Sequence, residues 1–106
     1  MEKLALLVTL QAKPGKETDV ESFLKSGLEL VQQEPQTNHW FALKIADGKY
    51  GIFDTFNDEA GRDAHLNGKV AEALMAKASE LFSSAPVIEK VELIAIKPHQ
   101  QKENIS

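Results

Sequence analysis

A chain of 106 residues with 42% hydrophobic and 26% charged side chains has the make-up of one globular domain around one core. Its net charge of −4 lacks the Lys and Arg excess that a nucleic-acid or anionic-membrane surface needs. With no cysteine it can hold no disulfide, thiolate metal site or thiol nucleophile; this suits a reducing compartment, and the cytoplasm is the expected location.

Residues 3–13, KLALLVTLQAK, are apolar, rich in β-formers and stopped by Pro14-Gly15, which predicts a first strand. The run is too short and its preceding charge too mixed for a signal peptide. Nowhere does the sequence approach the roughly 18 apolar residues of a membrane span. From Lys16 to Glu34 the apolar residues Val20, Phe23, Leu24, Leu28 and Val31 fall on one helical face. Gly27 shares that face and leaves room for close packing on a sheet. Pro35 ends the helix, because proline disfavours helical geometry in the residue before it.

Residues 37–46, TNHWFALKIA, predict the second strand, Asp47-Gly48 a hairpin turn, and residues 49–56, KYGIFDTF, the third strand. Asn57 is the expected N-cap of a short helix reaching about Leu66, with Asp58 and Glu59 suited to its positive end. Asn67-Gly68 interrupts it as a C-cap would. A second helical segment carries Val70, Leu74, Ala78, Leu81 and Phe82 on one face and stops at Ser83-Ser84-Ala85-Pro86. Residues 87–97, VIEKVELIAIK, predict the last strand, and a polar tail covers 98–106.

The order β-α-β-β-α-β over residues 1–97 predicts a ferredoxin-like α+β sandwich: a four-stranded antiparallel sheet with its helices on one face. The other face of such a sheet should alternate towards polar residues. Here Leu4, Leu6, Val8 and Leu10 oppose Ala5 and Leu7, while Trp40 and Ala42 oppose Phe41, Leu43 and Ile45. Apolar side chains on both faces predict a homodimer with the two sheets facing each other. At roughly 25 cal/mol per Å², half of a standard interface of about 1,600 Å² would drive association strongly.

Few residues can carry chemistry. His99 lies in the tail and is expected to be inert, and Tyr50 is expected to be a packing aromatic. Asp54 sits between apolar neighbours, where a carboxylate either forms a structural hydrogen bond or serves a site with a shifted pKa. His65 precedes the Asn67-Gly68 break, where it either titrates at the mouth of a pocket or pairs with the helix dipole. His39 and Trp40 face opposite sides of the sheet. No metal-ligand spacing and no glycine-rich phosphate loop occurs, so no cofactor is expected.

The segment FDTFNDEAGRDAHLNGKVAEAL, residues 53–74, resembles the strand-to-helix segment of the antibiotic biosynthesis monooxygenase family. WFALKIADGKYGIFDTF resembles that family's central hairpin, and VIEKVELIAIK its last strand. The resemblance covers residues 3–97 and implies a ferredoxin-like protomer in a dimeric α/β barrel. It implies a pocket between helices and sheet that His65 faces. Haem-degrading relatives carry a strand-one asparagine, a tryptophan where this sequence has His65, and a later histidine near the position of Met75. None is present here, and the strand-one asparagine of several quinol-oxidising members is absent as well.

The expected function is a cofactor-independent monooxygenase that oxidises a small aromatic or quinol-like compound with dioxygen. His65 would be base or donor, with Asp54 orienting it. Trp40 or Phe41, Phe53 or Phe56, Leu66, Leu74 and Met75 would form the apolar wall. Removing His65 is expected to cost function but little stability, and removing Asp54 the reverse. The alternative is a non-enzymatic dimer of the same fold that binds a small hydrophobic ligand.

Overall fold

The computed structural model describes residues 1–98; His99 and the rest of the tail lie outside the described residues. Strands β1 (Leu4–Gln11), β2 (Thr37–Ala46), β3 (Lys49–Phe56) and β4 (Val87–Glu92) form one antiparallel sheet in the order β2-β3-β1-β4. Helix α1 (Glu17–Val31) joins β1 to β2, while α2 (Glu59–Leu66) and α3 (Lys69–Leu81) join β3 to β4. This is the ferredoxin-like α+β arrangement. No described helix is long and apolar enough to cross a membrane.

Strand alternation decides what each face does. Val8, Leu10, Tyr50 and Ile52 point towards the helices and pack with Val20, Leu24, Leu74 and Leu81 in the main core. Trp40 joins this face; a Cβ on Gly27 of α1 would lie only 3.3 Å from the indole, so the glycine sets the helix-to-sheet approach. Opposite, Phe41 pairs with Phe53 and Phe53 with Leu7 across the outer face. Phe41 and Ile45 are each 50% exposed there, so among the described residues this face is apolar and partly open. The β2–β3 turn uses Gly48 at φ +76°, a conformation that costs side-chain-bearing residues more.

Several boundaries differ from the sequence expectation. Helix α1 stops at Val31 rather than Glu34, because the turn before Pro35 unwinds and the Glu34 N–H donates to the Val31 carbonyl at 2.9 Å. Strand β4 ends at Glu92, not at residue 97: Glu92 pairs with Leu4, the first residue of β1, and the partner strand runs out. After it the Leu93 N–H reaches back to the Lys3 carbonyl at 2.8 Å. The N-cap of α2 is Asp58, whose Oδ1 accepts from the Gly61 N–H at 2.9 Å. Asn57 instead accepts from the Asn38 amide at 2.7 Å, which ties it to the start of β2.

Candidate functional site

The site grows from one misfit residue in β3. Asp54 has the parity of Ile52 and Phe56, so it points under the helices, beside Leu6 of β1 and Trp40 of β2. It is completely buried. Asp58 then caps α2 immediately after the strand, and the turn of that helix puts Gly61, Arg62 and His65 on its inner face. His65 thereby comes down on Asp54, with Nε2 at 2.8 Å from Oδ2. Its other nitrogen, Nδ1, lies 2.5 Å from Oε1 of Glu34, in the loop that leaves α1. Thr37 at the head of β2 donates to the same Glu34 oxygen at 2.8 Å, and the Phe56 ring lies 5.5 Å from the imidazole.

Asp54, His65 and Glu34 therefore form a line across three elements, with the imidazole in the middle and 7% exposed. Burial by itself would push the His65 pKa down. The Asp54 and Glu34 carboxylates outweigh that burial and hold it above its ordinary value. In the protonated ring both nitrogens are donors, which matches two flanking acceptors. The Asp54 contact is an ion-pair contact without the alignment of a full hydrogen bond, and neither Asp54 oxygen has another partner among the described residues. Removing the imidazole would leave the buried Asp54 carboxylate without a counter-charge and take one partner from the half-buried Glu34. This geometry leads us to expect that loss of His65 costs stability as well as any chemistry.

The Glu34 end of this line opens onto a cavity of 360 Å³, at the lower end of the roughly 300–1,000 Å³ of small-molecule pockets. Leu30, Gln33, Glu34, Pro35, Gln36, Thr37, Gly61, Ala64, His65, Gly68 and Lys69 line it. The cavity lies where α1 hands over to β2, beside the break between α2 and α3. The space between helices and sheet, where the pocket was expected, is nearly filled. Trp40, Gly27, Phe23, Ile52 and Leu74 surround only 30 Å³ there, room for a water or two.

The expected wall residues are thus dispersed. Phe56 is buried beside His65, and Trp40 and Leu74 belong to the core under the helices. Phe41 and Phe53 lie on the outer sheet face. Leu66 is half-buried, and Met75 is exposed. His39 is on the outer face too, with Nδ1 at 2.6 Å from Glu2. Tyr50 donates to Glu21 at 2.6 Å. That hydrogen bond, with burial, pushes its pKa to about 12, so it remains a neutral phenol. Among the described residues no three His, Asp or Glu side chains converge as a metal would require.

Glu34 is the residue that sequence reasoning missed. One signal was available: an acid just past the C-terminal end of a helix, where the dipole favours cations, followed at once by Pro35. Chemically the trio presents the Glu34 carboxylate at the cavity, backed by an imidazole whose charge Asp54 helps to balance.

No protein-family model and no curated protein matches the sequence. Among solved structures, the chain is 55% identical to the NE2512 protein of unknown function from Nitrosomonas europaea, over 95% of this chain and 98% of that one, with a TM-score of 0.91. Rv0793 from Mycobacterium tuberculosis is similar over 94% of this chain and 98% of its own, at 14% identity and a TM-score of 0.74. A protein named antibiotic biosynthesis monooxygenase is similar over 87% of this chain and 99% of its own, at 15% identity and a TM-score of 0.74. The last two are likenesses of fold.

Proposed function

We propose that this chain, which belongs to one family with the Nitrosomonas europaea NE2512 protein and has the fold of antibiotic biosynthesis monooxygenases, is a cofactor-independent monooxygenase of small phenols or quinols. The observation that carries the reading is a buried imidazole held between two carboxylates at the wall of a ligand-sized cavity. A phenol passes its proton to Glu34, backed by His65, and the phenolate gives one electron to dioxygen. The phenoxyl radical and superoxide combine through a new C–O bond. Transfer of the ring hydrogen to the peroxide as a proton, return of the Glu34 proton and cleavage of the O–O bond leave a quinone and one water, so phenol plus dioxygen equals quinone plus water. The protein's part is to bind the ring, move protons and exclude bulk water.

A homodimer through the outer sheet face belongs to the same proposal, supported by the half-exposed Phe41 and Ile45. One observation favours the alternative of a non-enzymatic binding protein: both His65 nitrogens already face carboxylates, so any acid–base step must run through Glu34. Dioxygen uptake measured against a panel of phenols and quinols, without added metal or flavin, separates the two. Uptake matched by quinone formation is expected, falling by roughly 10²–10⁴ in His65→Gln. No uptake above the uncatalysed rate across the panel would sink the oxygenase reading.

A further inference from the structure

We infer that Glu34 Oε2 is the atom that selects the ligand, and that the cavity takes small neutral hydroxyl donors in preference to ring compounds that only accept hydrogen bonds. The inference rests on reading that cavity as the ligand site. The two Glu34 oxygens are unequal. Oε1 already takes the Thr37 hydroxyl and His65 Nδ1. Oε2 is buried and has no partner among the described residues, although it belongs to a residue lining the cavity. A buried carboxylate oxygen without a donor is costly, and a small turn of the Glu34 side chain towards the cavity that the residue lines would let a ligand hydroxyl relieve that cost.

Shape supports the same assignment. A Cβ on Gly68 would stand 3.0 Å from Oε2 and 3.1 Å from the Ala64 carbonyl oxygen, so any larger residue there would crowd the carboxylate. Charge supports it too. One imidazolium between two carboxylates leaves the trio with a net negative charge, which repels a carboxylate or phenolate ligand. An ether or quinone would set lone pairs against Oε2 with no proton between them. A hydroxylated substrate is therefore held, and a quinone product, which has lost that hydrogen, is released.

The test compares 4-methoxyphenol with 1,4-dimethoxybenzene, which differ by one O–H, in titrations of the 15N-labelled full chain followed by amide shifts. 4-Methoxyphenol is expected to shift Gly61, Ala64 and Gly68 saturably. It should bind at least tenfold more tightly than the diether, equivalent to about 1.4 kcal/mol. Glu34→Gln should abolish that preference, and Gly68→Ala should weaken 4-methoxyphenol. If Glu34→Gln fails to fold, the wild-type comparison and Gly68→Ala decide. Equal binding of the two probes, preference for the diether, or no saturable shift at those amides would overturn the inference. Hydroxyl preference without dioxygen uptake would leave it standing and remove the oxygenase reading. Dioxygen uptake with no hydroxyl preference would do the opposite.

Discussion

Replacing Asp54 by asparagine removes a charge 2.8 Å from His65 Nε2 while keeping the side chain's shape. Breaking a buried ion pair costs about 3–5 kcal/mol. Glu34 still faces the ring from the other side, which puts the expected loss at the lower end, about 3 kcal/mol. At about 4–8 °C per kcal/mol for a domain near this size, the melting temperature should fall by about 12–24 °C. The loss should also depend on pH in a definite sense. The folded His65 pKa lies above its ordinary value because two carboxylates overcome its burial. The native state therefore keeps a proton that the unfolded chain has released, and stability falls as pH rises through that window. The contribution is fully present below about pH 6.5 and is lost as pH climbs through the raised folded value. Urea unfolding of wild type, Asp54→Asn, His65→Gln and the double variant on either side of that window measures both effects. The double variant should lose less than the sum of the singles. Losses below about 1 kcal/mol, strict additivity, or a gap between wild type and Asp54→Asn that ignores pH would refute the coupled-pair reasoning.

Two further outcomes are expected. Asp58→Ala removes the side-chain acceptor for the Gly61 N–H and should cost about 1 kcal/mol, read as a lower melting temperature; an unchanged melt would mean the cap carries no load. Phe41→Glu places a charge on the outer sheet face, where Phe41 is 50% exposed, and should halve the mass found by light scattering at micromolar concentration. A wild-type chain that is already monomeric there would remove the dimer.

Local pattern was enough for the elements. Proline and glycine stops, helical spacing of Val20, Leu24 and Val31, and the Asp47-Gly48 turn are short-range signals, and β2 and β3 occupy the residues they predict. The period of two also determined that Asp54 shares a face with Ile52 and Phe56, since neighbouring strand residues alternate sides. Where an end depends on a distant partner, the sequence could not locate it: β4 stops when β1 does. The cap of α2 moved from Asn57 to Asp58 for a similar reason, since Asn57 is engaged by Asn38.

The site itself was a tertiary decision. Sequence singled out Asp54 and His65 as the titratable residues worth watching, but offered each a structural role as readily as a chemical one. Only the folded chain brings Glu34, 31 positions from His65, to the far edge of the imidazole. Only the packing of Trp40 onto Gly27 fills the space under the helices and leaves the cavity at the α1–β2 corner. Hydrophobic period is a property of neighbours along one element. Convergence of charged side chains from β3, α2 and the loop after α1 depends on how three elements cross, and no local spacing encodes that crossing.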